Sequence, residues 1–234
     1  MEYQILNLFP LSVYKSNLGL TQKYKEELIK EILDMTKNSN QPDYKKNNNS
    51  WTGDTQGHDE LHKNKKFDLF FIEISKHIKK YMEYFEIDVG KLDFYFQRSW
   101  ATLSNGKENI KHHRHMQSHL SFAYYLKKSK TDANIQFVNM EHPNEFIPSL
   151  FVSKTVGLSK IFKNRNVKNS SLIDLNCFED DIVIFPSKSR HGTQPFVENN
   201  NRISISADIL LTAKDTKNIE HMMPPLNQWK KFSD

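Results

Sequence analysis

The feature that most restricts the fold is a run of short strand-like segments that begins near Lys91. Phe94-Tyr95-Phe96 and Ser99-Trp100-Ala101-Thr102-Leu103 are aromatic and β-branched, and Ser104-Asn105-Gly106-Lys107 supplies a turn after them. His119 to Leu126, Asn134 to Val138, Ser171 to Leu175, Asp181 to Phe185 and Arg202 to Leu211 continue the series. Strands joined by turns, with no helical period between them, argue for an antiparallel sandwich or barrel rather than βαβ units. Residues 139–170 are irregular and polar, long for a connection in a compact domain. They read either as a substrate-covering segment or as disorder.

Helical periodicity is confined to the first part of the chain. From Leu20-Thr21 to about Lys37, Tyr24, Leu28, Ile29, Ile32, Leu33 and Met35 recur at near-helical spacing. A second amphipathic helix is expected from about Lys65 to Phe85, with Leu69, Phe70, Ile74, Ile78 and Tyr81 on one face. The Asn-rich stretch Asn38 to Asn49, which contains Pro42, reads as a loop. The expected layout is one domain over residues 1–234: helical support in 1–90, a β core in 91–211 and a tail in 212–234. Within the tail, Pro224 to Trp229 either packs on the barrel or mediates contacts in a homodimer.

Composition removes several classes of function. Hydrophobic residues make up 37% and charged residues 26%, which suits a packed soluble domain rather than a disordered chain. The apolar runs are short: Asp68 and Glu73 interrupt the one from Phe67 to Ile74, so no membrane span is expected. The N-terminus lacks the basic-then-apolar layout of a secretory signal. A single cysteine, Cys177, excludes an internal disulfide and fits a reducing cytosol, so a cytoplasmic location is expected. The net charge of +5 comes from lysines interspersed with acids, and the clusters Lys63 to Lys66 and Lys127 to Lys130 are too short to track many phosphates. Nucleic acid is therefore not an expected partner, and a solvated lysine-rich surface or a basic pocket rim accounts for the charge.

Chemistry concentrates in the histidines. Four of ten lie in His112-His113-Arg114-His115-Met116-Gln117-Ser118-His119. If that segment is extended, His113 and His115 point to one side, because side chains alternate, and His112 faces the other. Two imidazoles so spaced can grip one ion, and imidazole suits iron, zinc and copper alike. A histidine-rich surface loop is the competing explanation. Further on, Asp181 to Phe185 reads as a buried strand ending at Pro186, with His191 in the following turn. Arg202-Ile203-Ser204-Ile205-Ser206 then alternates, with Arg202 and Ser204 on one side. A buried arginine needs an anionic partner, and its planar fork matches a carboxylate. Two adjacent antiparallel strands turning near Asn199 to Asn201 would bring His191 and Arg202 into one cavity. The alternative is a surface arginine paired with Glu198 or Asp208.

The order of these motifs resembles the 2-oxoglutarate/Fe(II)-dependent oxygenase superfamily. It is most similar to a branch of bacterial and phage proteins whose core reads Trp, Gly-x-x-Asn, His-x-His, then Leu-Ser-x-x-Tyr-Tyr-Leu. Here the matching residues are Trp100, Gly106, Asn109, His113, His115 and Leu120-Ser121-Phe122-Ala123-Tyr124-Tyr125-Leu126. Leu8 to Tyr14 and the stretch from Ile184-Phe185-Pro186-Ser187 to His191 also look like that branch, so the likeness spans residues 8 to about 211. The resemblance implies a mainly β fold with N-terminal helices, a double-stranded β-helix (jelly roll, cupin-like). It implies His113 and His191 as iron ligands, with His115 as the third. Arg202, Ser204 and Tyr125 would hold the distal carboxylate of 2-oxoglutarate. The cofactors implied are Fe(II), 2-oxoglutarate and O2, and the default reaction is hydroxylation of a small-molecule or peptidyl substrate, on analogy with the superfamily.

Two departures accompany the resemblance. His115 stands where the best-known members carry Asp or Glu, which leaves one more positive charge on the ion; were it not to bind, water or halide could take the position. Phe122 stands where related sequences place glycine and is expected to narrow the cavity. Two other readings remain at this level: a cupin-like three-histidine oxygenase that does not use 2-oxoglutarate, and a non-enzymatic jelly-roll binding module.

Overall fold

In the computed structural model the described residues are 2–37, 39, 50–106, 108–148, 150–151, 161–194 and 201–232. Residues 38 and 40–49 of the expected loop, Asn199 and Asn200 of the expected turn and part of the 139–170 segment lie outside them.

The most regularly alternating segment becomes the spine of the fold. Strand β9 (Arg202–Ala213) pairs antiparallel with β3 (Leu92–Ser104) on one side and with β4 (Leu120–Lys127) on the other. The two aromatic segments at 94–96 and 99–103 are one strand, with a bulge between Phe96 and Arg98. Adding β1 (Tyr14–Asn17), β2 (Trp51–Thr52) and β7 (Asp181–Pro186) gives a six-stranded sheet in the order β1-β7-β4-β9-β3-β2. A second sheet of β5 (Ile135–Val138), β6 (Leu172–Leu175) and β8 (His191–Thr193) runs in the order β6-β5-β8. All pairings are antiparallel, as the absence of helical crossovers requires. Strands β1 and β2 are four and two residues long, too short to show an alternation in the sequence, and only their partners β7 and β3 make them strands.

The helices cover the outer face of the large sheet. In α1 (Gln22–Lys37), Leu28 and Ile32 are fully buried; α2 (Asp68–Glu83) buries Phe70, Phe71, Ile74, Ile78, Tyr81 and Met82. Leu69, expected on the inner face, is 64% exposed, and Phe71, two residues on, is buried. The other residues expected on that face, Phe70, Ile74, Ile78 and Tyr81, are buried. Ile203, Ile205, Ala207, Ile209 and Leu211 of β9 meet these helices together with Leu120, Phe122, Tyr124 and Leu126 of β4. Each such Ile or Leu stabilises the fold by roughly 1.5–3 kcal/mol on burial. Tyr124 belongs to this layer, packed on Phe70 at 5.0 Å and donating to Asp180 Oδ1 at 2.6 Å.

The other face of β9 breaks the usual pattern. Arg202, Ser204 and Asp208 alternate with the apolar residues and are also buried, at 2%, 9% and 0% exposure. They point into the space between the two sheets, where a sandwich normally places its apolar core. Tyr125, Ile135, Phe137, Cys177, Val183 and Phe185 fill only part of that space. Buried polar groups between sheets are costly unless satisfied, so their presence marks a site. Among the described residues, no helix is long and apolar enough to cross a membrane.

Candidate active site

Alternation in three neighbouring strands builds one wall of the cavity. Arg98, Trp100 and Thr102 of β3, Ser121, Ala123 and Tyr125 of β4, and Arg202, Ser204, Ser206 and Asp208 of β9 all line it. Phe185 of β7 extends that wall, Ile135 of β5 with His191, Gly192 and Thr193 of β8 close the far side, and the whole encloses about 330 Å³. The pairing register places Tyr125 directly opposite Ser204, and Thr102 opposite the same serine from the other side.

The segment His112 to His119 is irregular, with bends at His112, Met116, Gln117 and His119 and a single bridge residue at His113. His113 and His191 form an isolated antiparallel bridge, and His115 N–H donates to Ser187 O at 3.0 Å. His113, His115 and His191 thereby offer one nitrogen each, all within 4.8 Å of one another. Trp100 stacks on His115 with an interplanar angle of 16°, and Phe185 packs edge-on against His191 at 4.6 Å.

Each imidazole is oriented through its other nitrogen. His113 Nδ1 lies 2.8 Å from Lys111 O, His191 Nδ1 2.8 Å from Ser189 O, and His115 Nδ1 2.5 Å from Asp208 Oδ1. These oxygens only accept, so each Nδ1 carries the proton and each Nε2 presents a lone pair to the cavity. His113 Nε2 and His115 Nε2 are 2.9 Å apart. Two lone pairs at that distance repel unless a proton or cation lies between them. Nitrogens bound cis to one ion, each about 2.1 Å from it, lie about 3 Å apart, so the donor set fits a metal. Burial favours the neutral imidazole at His113 and, more strongly, at His191, which is pushed down to about 3; the neighbouring imidazoles add to it. A neutral imidazole is the form that ligates.

The inner end of the cavity is built around Arg202. Its Nη1 donates to Ala133 O at 2.8 Å and its Nη2 to Ser104 Oγ at 3.1 Å, and each of these nitrogens has a second N–H. Tyr125 Oη accepts from Ile135 N–H at 2.8 Å, and burial raises the phenol well above its ordinary range, so it stays protonated. A charged guanidinium, a phenol and the Ser204 hydroxyl in one buried recess can receive a carboxylate.

Residues 98–208 match the family model described as "Putative 2OG-Fe(II) oxygenase". That stretch is similar to the 2-oxoglutarate/Fe(II) oxygenases that the model describes. No curated protein matches the sequence. Among solved structures, HygX from Streptomyces hygroscopicus with nickel and 2-oxoglutarate bound is 11% identical, with a TM-score of 0.52 over 85% of this chain and 82% of that one. AviO1 from Streptomyces viridochromogenes is 12% identical, with a TM-score of 0.53 over 86% and 90%. A Pseudomonas putida prolyl-4-hydroxylase is 10% identical, with a TM-score of 0.51 over 86% and 92%. At these identities the structural likeness speaks for the fold, and it bears out the expected jelly roll. Enzymes of the kind that model describes use Fe(II) and 2-oxoglutarate, and the three-histidine cluster offers a place for such an ion.

All six residues singled out in the sequence, His113, His115, His191, Arg202, Ser204 and Tyr125, border this cavity. Their routes into it differ from the expected ones at two points. His191 and Arg202 are not on paired neighbouring strands: β8 pairs with β5 in the small sheet, whereas β9 lies in the large one. They meet across the sandwich because the jelly roll sends successive strands to opposite sheets. Phe122 borders the cavity, but its ring is 6.2 Å from that of Phe70 in the helix-covered core. Strand parity gives the cavity-facing places to Ser121 and Ala123 instead. Asp208 is the functional residue that sequence reasoning passed over, considered only as a surface partner of Arg202. Its even spacing from Arg202 and Ser204 was the available signal.

Proposed function

We propose that the protein is a 2-oxoglutarate-dependent hydroxylase whose iron is held by Nε2 of His113, His115 and His191. The observation that carries this is the common arrangement of the three rings: every Nδ1 is committed to an acceptor oxygen, and every Nε2 is left to face one cavity. When bound there, Fe(II) with 2-oxoglutarate and O2 supplies oxidative decarboxylation coupled to C–H oxidation, giving succinate, CO2 and a hydroxylated product. The chain's own residues bind and orient. Arg202 neutralises the distal carboxylate of 2-oxoglutarate, with Ser204 and the Tyr125 hydroxyl as further donors. Trp100, Phe185 and Phe137 wall the imidazoles and limit water. Dry apolar walls strengthen each charge interaction inside and exclude side reactions.

The substrate enters as a small molecule or a peptidyl side chain, and the wider mouth at Thr52, Asp54, Arg98, Arg114 and Gln117 receives it. A cytosolic setting fits the single buried cysteine. A three-histidine oxygenase without 2-oxoglutarate has no use for a fully buried arginine in the same cavity, so Arg202 favours the 2-oxoglutarate reading. Anaerobic titration with Fe(II) and 2-oxoglutarate tests it. A visible charge-transfer band, abolished by His191→Ala, is expected; a wild-type protein with no band refutes the assignment.

A further inference from the structure

The three ligands assigned above are neutral imidazoles, so none of them offsets the charge of a divalent ion. The nearest negative charge sits one ring further out. Asp208 is 0% exposed, and its carboxylate accepts from His115 Nδ1 at 2.5 Å, Gln117 Nε2 at 3.0 Å, Ser118 Oγ at 3.1 Å and Ser121 Oγ at 3.3 Å. Among the described residues, no lysine or arginine lies within ion-pair distance of the Asp208 carboxylate: its cross-strand neighbour Arg98 pairs with Asp54 and Asp59 instead. A carboxylate removed from water without such a partner is expensive, unless positive charge reaches it another way.

We infer that Asp208 is a positioning residue that acts through His115, supplying to the metal the negative charge that the ligand set lacks. The relation extends the three-histidine reading of the site and rests on it. A carboxylate behind an imidazole fixes the ring's tautomer and makes its far nitrogen a stronger donor. Asp208 places a negative charge one ring behind the ligand nitrogen of His115. Trp100, stacked on the other side of His115, prevents the ring from turning away. Gln117, Ser118 and Ser121 hold Asp208 from the same segment that delivers the ligand, so ligand and carboxylate move together.

Asp208→Asn keeps the side-chain shape and an acceptor for the His115 N–H but removes the charge. Anaerobic Fe(II) titration against a chromogenic chelator should show affinity weakened about tenfold to a hundredfold. The Fe(III)/Fe(II) midpoint potential of the loaded protein should become more positive, which a merely structural role would not cause. Unchanged affinity and potential overturn the inference. If wild-type protein does not bind Fe(II), or His191→Ala binds it as well as wild type, the three-histidine reading itself has failed. If His191→Ala abolishes binding while Asp208→Asn behaves as wild type, only the role of Asp208 has failed. Should Asp208→Asn not fold, NMR of the Co(II)-loaded wild type decides. Three exchangeable, hyperfine-shifted Nδ1–H signals are expected, and the His115 proton, sealed by a fully buried carboxylate, should exchange slowest. Absence of a slowly exchanging signal overturns the inference.

Discussion

His113 and His191 exchange both main-chain hydrogen bonds, at 2.8 and 3.0 Å, and their ring centroids lie 4.6 Å apart. The separation of these two imidazoles is thus set by backbone pairing rather than by rotamer choice. Ile110 and Thr193 extend the pairing on one side, and Ser187 O receives the His115 N–H on the other. The site is a clasp between the His113 segment and β8, the strand of the small sheet that carries His191.

That clasp leaves no room at Gly192. A Cβ there would lie 2.7 Å from Ile110 O and 2.8 Å from His112 Cδ2. Gly192→Ala should push the His113 segment off β8 and destabilise the fold by about 1–3 kcal/mol. Fe(II) affinity should fall in the same variant. Urea denaturation and metal titration read the two effects, and wild-type values in both would show that the contact yields without strain.

Arg202→Lys should raise the dissociation constant for 2-oxoglutarate by about tenfold or more, because an ammonium cannot reproduce the bidentate fork. Fe(II) binding should be unchanged, since Arg202 is not among the three ligands assigned to the ion. Isothermal titration of each ligand separates the two. Equal 2-oxoglutarate affinity in the variant would remove Arg202 from the cosubstrate site.

Tyr125→Phe takes away the acceptor of the Ile135 N–H in a buried setting. A loss of about 1–3 kcal/mol in stability is expected from the orphaned donor. If Tyr125 also donates to the cosubstrate, KM for 2-oxoglutarate rises in step. A stability loss with unchanged KM would confine Tyr125 to holding the start of β5.

His191 ties stability to acid. Its pKa is about 3 in the folded protein and near its ordinary 6.5 once unfolded. Between those values the unfolded chain binds a proton that the folded chain refuses, so stability rises with pH there and is lost as pH falls from 6.5 towards 3. The metal-free protein should therefore show a melting temperature that drops over this window, by an amount equivalent to several kcal/mol at most (order-of-magnitude). His191→Leu should flatten that part of the curve. An equal slope in the variant would place the acid sensitivity elsewhere.

Relations that depend on local period are legible in the sequence. The alternation of Arg202 to Leu211 sets which residues of β9 face the helices and which face the cavity. The two-residue spacing of His113 and His115 puts both rings on one side, and the helical recurrence of Leu28, Ile32, Ile74 and Ile78 fixes the covering layer. These are near-neighbour relations, legible without knowing what packs against them.

Which strands meet is a property of the folded chain as a whole. Strands β1 and β2 exist because β7 and β3 offer them edges, and nothing in four or two residues announces that. The parity that puts Asp208 on the face of Arg202 was readable, but its partner, His115, lies in a segment 93 residues earlier in the chain. The same holds for His191 and Arg202, which face each other from opposite sheets rather than along one hairpin. Contacts between distant segments depend on strand order and on the register of each pairing, and a shift of one residue would exchange the faces. Periodicity specifies a face for each strand; the pairing of the sheets specifies what that face meets.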